Sequence, residues 1–93
     1  MYNITQYSYN KAKQLGVVIQ PSKRKYKKID VYKKGEYICS IGDNRFSDYP
    51  TYMITHKHNK EYADERRRLY KLRHNKEKDK IGTAGFFAYH ILW

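Results

Sequence analysis

The chain has a single cysteine, Cys39, and a lone cysteine cannot close an internal disulfide. It has no glycine-rich phosphate loop, no nucleophile elbow and no paired Cys/His motif, so the familiar signatures of nucleotide hydrolysis, acyl transfer and structural zinc are missing. No apolar run approaches the roughly 20 residues of a membrane helix. Met1 to Leu15 contains no apolar h-region, so no secretory signal is expected. Aliphatic side chains are also scarce: Leu, Ile, Val and Phe together make up 18 of 93 residues. A chain of this size buries only about 60–65% of its unfolded surface. That excludes a multidomain enzyme and a fold resting on a large aliphatic core. With so few apolar residues and a high net charge, the composition lies near the border of disorder. Acidic residues are few as well, with 9 Asp and Glu against 20 Lys and Arg, a net charge of +11. What the chain does have is aromatic mass: 11 Tyr, 3 Phe and one Trp. These large side chains can supply the missing core while carrying polar tips.

The charge is unevenly placed. Residues 1–28 hold seven cations and no acid, and residues 57–80 hold ten cations against five acids. Between them residues 29–56 are close to neutral, and residues 81–93 carry no charge. Two basic segments therefore bracket a neutral middle. Clustered cations of this kind suit a polyanion, although charge runs also serve simply as solvated surface.

Residues 3–15 have the composition of a short helix, with Thr5 or Asn3 as its cap and Gly16 in the left-handed position after its end. Val17-Val18-Ile19 reads as a short strand stopped by Pro21-Ser22, and Lys23-Arg24-Lys25-Tyr26-Lys27-Lys28 as an exposed loop leading into the next strand. Ile29–Tyr32 and Tyr37–Ile41 flank Lys33-Lys34-Gly35-Glu36 and predict a hairpin, with Tyr37, Cys39 and Ile41 on one face. Asn44 to Lys57, broken by Pro50, reads as loop. From His58 to about Lys76 the spacing predicts a helix whose apolar arc holds Tyr62, Leu69, Tyr70 and Leu72, with Arg66 and Arg73 inside the arc and Arg67, Arg68 and Lys71 opposite. Thr83 caps a last, uncharged helix that must dock, on the chain's own core or alternatively on a partner, because Phe86, Phe87, Ile91, Leu92 and Trp93 would otherwise form an exposed patch. The expected architecture is α+β: a β-hairpin packed against two C-terminal helices with a short N-terminal helix. Residues 1–22 form the N-terminal helix and strand, and residues 23–93 the basic domain, in one compact unit.

Metal binding and catalysis fare poorly. His56, His58, His74, His90 and Cys39 are possible ligands, but only His56-x-His58 is closely spaced and no second pair answers it. Asp43, Asp48, Glu61, Asp64 and Glu65 form no metal-carboxylate signature, and no nucleophile or general base can be named. Asp64 and Arg68 have the spacing of a surface helix pair, and Asp43 or Asp48 is the expected partner of an inward Arg66 or Arg73. Cys39 fits a small filler better than a reactive thiol. No enzyme activity, cofactor or metal is expected. Lys23, Arg24, Lys25, Lys27, Lys28, Arg67, Arg68 and Lys71 remain as candidate phosphate contacts, with Tyr26, Tyr49 or Tyr52 placed to stack on a base.

Several stretches carry a resemblance. Lys27-Lys28-Ile29-Asp30-Val31-Tyr32 is followed by Ser40-Ile41-Gly42-Asp43-x-Arg45-Phe46-x-Asp48-Tyr49-Pro50-x-Tyr52. Later come Ala63-Asp64-Glu65-Arg66-Arg67-x-Leu69-Tyr70-x-x-Arg73-His74 and the ending Gly82-Thr83-Ala84-Gly85-Phe86-Phe87-Ala88-x-x-Ile91-Leu92-Trp93. Over roughly residues 15–93 the chain resembles a family of short basic proteins of unknown function found in large double-stranded DNA viruses of eukaryotes. The resemblance implies a viral origin, a single small domain, and a location in the virion or the infected host cell rather than secretion. It supplies no catalytic residues. The expected function is nucleic-acid binding through phosphate contacts without strong sequence preference, DNA before RNA, with no membrane and no small-molecule substrate as partner. The alternative is a virion structural or protein-interaction module that contacts other virion proteins, and nuclease activity is a distant third.

Overall fold

The computed structural model describes residues 1–93. Helix α1 (Gln6–Gln14) starts at Thr5, whose side chain accepts from the Ser8 amide, and ends before Gly16, which takes a φ of 73°. Three strands follow, β1 (Val18–Pro21), β2 (Lys27–Lys33) and β3 (Glu36–Asp43), forming an antiparallel sheet in chain order. The β2–β3 turn places Lys34 and Gly35 at φ of 51° and 78°, the two left-handed residues of a tight hairpin. The sheet has one strand more than the expected hairpin, because Val18–Pro21 pairs along β2 from Tyr32 to Ile29.

Alternation along the strands places Ile19, Ile29, Val31 and Ile41 in the core. The expected shared face of Tyr37, Cys39 and Ile41 is broken. Tyr37 pairs with Tyr32 while Cys39 pairs with Val31, so Ile38 is an extra residue, a bulge that reverses the alternation. Tyr37 thereby joins the Ser40 face, where its hydroxyl lies 2.7 Å from Ser40 Oγ, which in turn donates to Asp30 at 2.6 Å. Cys39 stays half-buried, its thiol pKa pushed up by burial and by Asp30.

The stretch expected to be loop contains a helix, α2 (Tyr49–Thr55). Pro50 begins this helix rather than breaking it, since a proline in the first turn has no amide that the helix needs. Asp48 caps α2 by accepting from the Thr51 amide at 2.9 Å. The same carboxylate accepts from Lys28 Nζ at 2.7 Å and from the Tyr2 hydroxyl at 2.8 Å. Asp48 is 0% exposed and Lys28 4%, so the pair is fully desolvated. Lys28, expected among the outward phosphate contacts, is therefore a structural cation. Gly42 makes this closeness possible: at φ of 77°, a side chain there would lie 2.8 Å from Leu92 Cδ1 and 2.9 Å from Lys28 Cδ.

Helix α3 (Lys60–Arg73) follows Asn59, which accepts from the Tyr62 amide, and runs into a 3-10 turn at Asn75–Asp79. The last helix, α4 (Ala84–Ile91), starts at Thr83, whose hydroxyl accepts from the Phe86 amide. It brings Phe86, Phe87, Ile91 and Leu92 into the core. Ser8 donates to the Ile91 carbonyl at 2.9 Å, and the Tyr49 amide donates to the Leu92 carbonyl at 3.1 Å, fastening α1 and α2 to the chain end. No helix is long and apolar enough to cross a membrane.

Removing the buried carboxylate leaves an uncompensated cation under the sheet. Asp48→Ala is expected to cost about 3–5 kcal/mol of stability, read by urea denaturation. A loss under about 1 kcal/mol would show that Lys28 finds another partner or reaches water.

Candidate nucleic-acid interface

Helix α3 buries only Ala63 fully, so aliphatic burial does not hold it in place. Rings do. A chain of aromatic contacts runs from His56 to Tyr62 (4.5 Å), to Tyr52 (5.6 Å), to Trp93 (6.2 Å), to Tyr70 (4.2 Å) and to His74 (4.2 Å). Tyr70 and Trp93 are nearly parallel, at 7°. The packed arc of α3 is thus Ala63, Arg66, Arg67, Tyr70, Lys71 and His74, with Leu69 half-buried beside it. It is rotated by about 100°, one residue's turn, from the arc expected through Leu69 and Leu72. Leu72 instead faces solvent, 67% exposed.

That rotation changes the assignment of the arginines. Arg67 and Lys71, expected on an open outer face, are half-buried, with Arg67 over the Tyr49 ring at 4.7 Å and Lys71 over the Tyr89 ring at 4.7 Å. Lys11 joins them, over Tyr7 at 5.6 Å. Burial, Arg67 and Lys11 all push the Lys71 pKa below that of a free lysine. Arg68 does face outward, but Glu65 holds it in a two-point pair at 2.6 and 3.0 Å. The expected Asp64–Arg68 pair is replaced by Asp64 with Lys60 and with the Tyr49 hydroxyl. Tyr49 is buried and unavailable to a base.

Arg66 and Arg73 also differ from expectation, because neither has a carboxylate partner. Asp48 is taken by Lys28, and Asp43 by Arg45 in a two-point pair at 2.7 and 3.0 Å. Arg66 Nε is buried without any hydrogen-bond partner, and so is Arg67 Nε. A buried donor left unpaired costs about 1–3 kcal/mol.

Arg66 and Arg73 line a cleft of about 510 Å³ between the end of β3, α3 and α4. Lys27, His74, Phe46, Tyr52, Tyr70 and Trp93 share its walls. Lys27 also lines a second depression of about 520 Å³ along with Lys23, Arg24, Lys25 and Tyr26. The basic β1–β2 loop and the cleft are therefore one continuous surface joined at Lys27. Within it Arg24 lies over the Tyr37 ring at 4.8 Å, and Tyr26 is flanked by Lys25 and by Arg45 at 4.2 Å. Of the residues expected as contacts, Lys23, Arg24, Lys25 and Lys27 are exposed and gathered here, Lys28 lies buried in the cleft wall with its charge on Asp48, and Arg67, Arg68 and Lys71 are not part of this surface. Arg66, Arg73 and Phe46 had not been expected as contacts. The Arg-His end of α3 and the aromatic in the Gly-Asp loop were the available signals.

The histidines are dispersed. His56 and His74 stack on tyrosines, His90 hydrogen-bonds the Lys78 carbonyl at 3.0 Å, and His58 is exposed. No three His, Cys, Asp or Glu side chains gather to hold a metal ion. No family model, curated protein or solved structure matches the chain.

The hydrogen bonds from Arg45 lower the Asp43 carboxyl to about 2. Because the folded value lies below the unfolded one, the contribution of this pair to stability is complete above the unfolded carboxyl value and is lost as pH falls toward the folded value. A carboxyl NMR titration is expected to give an Asp43 midpoint near 2. A midpoint near the ordinary value of about 3.9 would show the pair open in solution.

Proposed function

We propose that the chain binds nucleic acid through its phosphates, without reading base sequence, on the surface formed by Lys23, Arg24, Lys25, Lys27 and Arg73. One observation carries this reading: the cations gathered here form no ion pair with any acid of the chain. Only four of the 20 Lys and Arg side chains form ion pairs, and Lys28, Arg45, Lys60 and Arg68 are the four. Exposed cations without acid partners on one face neutralise phosphates and release counterions, giving affinity without sequence information. Burial of Lys28 leaves Lys23, Arg24 and Lys25 in the β1–β2 loop and Lys27 at the start of β2, a short exposed segment with no element of the size that reads a major groove. DNA is placed before RNA on the viral setting implied by the sequence resemblance, and that setting is part of the proposal.

A second reading, a protein-interaction module of a virion, is favoured by a different region. Leu15, Val17, Ile38, Ile81, Phe86 and Phe87 line an apolar groove with Lys33 and Lys78 at its margin, and Ile81 is 83% exposed.

The phosphate reading predicts a steep salt dependence. With about five phosphates neutralised, log affinity for duplex DNA is expected to fall with log salt at a slope of about −4.5. Replacing Lys23, Arg24, Lys25 and Lys27 by Gln should reduce the slope by about 3–4. An unchanged slope, or no binding at low salt, would overturn the reading.

A further inference from the structure

We infer that the cleft between β3, α3 and α4 holds one unpaired nucleotide of a single strand, with its base among the aromatic walls and its phosphate on Arg66 and Arg73. The inference rests on the phosphate reading above and gives that surface a preferred substrate, single-stranded nucleic acid over duplex.

Three features of the cleft point to this ligand. The first is its donors. Arg66 Nε is buried and has no partner within the protein, and Arg73 forms no ion pair. A guanidinium presents several donors in a planar fork that matches phosphate oxygens. The only carboxylate in the walls is Asp43, and Arg45 already occupies both of its oxygens. The lining side chains therefore offer an anion several cations and no free carboxylate, with the Glu77 carboxylate packed against Gly85 close by.

The second is its ring surfaces. Phe46 lies in the β3–α2 loop at 71% exposure and lines this cleft. Tyr52, Tyr70 and Trp93 line it as well. Aromatic rings beside cations are the combination that single-stranded nucleic acids use, since every base has a face to stack. Gly42 and Gly85 also line the cleft, with Lys28 and Leu92 packed against Gly42 and the Glu77 side chain against Gly85.

The third is shape. The cleft is concave, and its volume of about 510 Å³ lies within the range of pockets that enclose small ligands. A paired base is already stacked on both faces and cannot enter it. Only an unstacked nucleotide can. Lys27 sits where the cleft meets the basic loop, so the strand leaving the cleft would pass directly over Lys23, Arg24 and Lys25.

Trp93 is the only tryptophan and lines the cleft, so its emission reports occupancy in the intact chain. The test titrates the protein at low salt with a thymidine decamer, and separately with a duplex whose two ends are closed by non-nucleotide linkers. The decamer is expected to quench Trp93 and the closed duplex to leave it unchanged while still binding by anisotropy. Phe46→Ala should weaken decamer binding by about tenfold and change duplex binding less than about twofold. Its exposure makes loss of fold an unsuitable explanation, and Arg66→Gln, with folding checked by circular dichroism, should show the same selectivity. Duplex binding with no Trp93 response to the decamer, or equal weakening of both ligands by Phe46→Ala, would overturn the inference alone. Binding of neither ligand would overturn the phosphate reading and the inference with it.

Discussion

The carboxylate of Asp48 is the point on which the rest of the structure depends. It receives Lys28 from β2, the Tyr2 hydroxyl from the N-terminal segment and the Thr51 amide at the start of α2. Three parts of the chain distant in sequence meet on two oxygen atoms. A charge this deeply buried is tolerated only when its partner and its remaining lone pairs are satisfied, so each of the three contacts depends on the others. Burial and the adjacent Asp48 carboxylate also push the Tyr2 phenol pKa well up, keeping it a hydrogen-bond donor. Once the pair is in place, Lys28 and Leu92 close on Gly42, and the end of β3 is fixed against the chain terminus.

Aromatic rings then do what the few aliphatic residues cannot. The sheet and α4 bury an ordinary cluster of Ile, Val, Leu and Phe. Beyond that cluster, α2 and α3 are joined through stacked and edge-on rings, with Tyr52 and Trp93 at the centre. Rings tolerate cations at their faces, and this is why Lys11, Arg67 and Lys71 can lie half-buried without carboxylates. The arrangement divides the positive charge into cations that belong to the fold and cations that remain on the surface.

Much of the fold was legible in the residues. The Lys-Gly turn marked the hairpin, Thr5 and Thr83 marked two helix starts, and the uncharged ending had to be core. The failures share one cause, which is that long-range partners decided them. Pro50 reads as a breaker until Asp48 is seen capping the helix that it begins, and Lys28 reads as surface until that same Asp48 is seen beneath it. The bulge at Ile38 leaves no mark in the alternation of Tyr37, Cys39 and Ile41. For α3 the aliphatic periodicity misled, since Ala63, Arg67 and Lys71 pack inward and Leu72 does not. The candidate site was legible as a basic loop. Its cleft was not, because Phe46, Arg66 and Trp93 come together only in three dimensions.

The central claim is that lysines adjacent in sequence have different work, Lys28 in the fold and Lys23, Lys25 and Lys27 at the phosphate surface. Lysine acylation with mass-spectrometric readout, performed on the native protein with and without a saturating DNA oligonucleotide, tests it directly. The account predicts that Lys28 resists labelling in both conditions, while Lys23, Lys25 and Lys27 are labelled in the free protein and protected when DNA is bound. Labelling of Lys28 at the rate of its neighbours, or no protection of those neighbours by bound DNA, would contradict it.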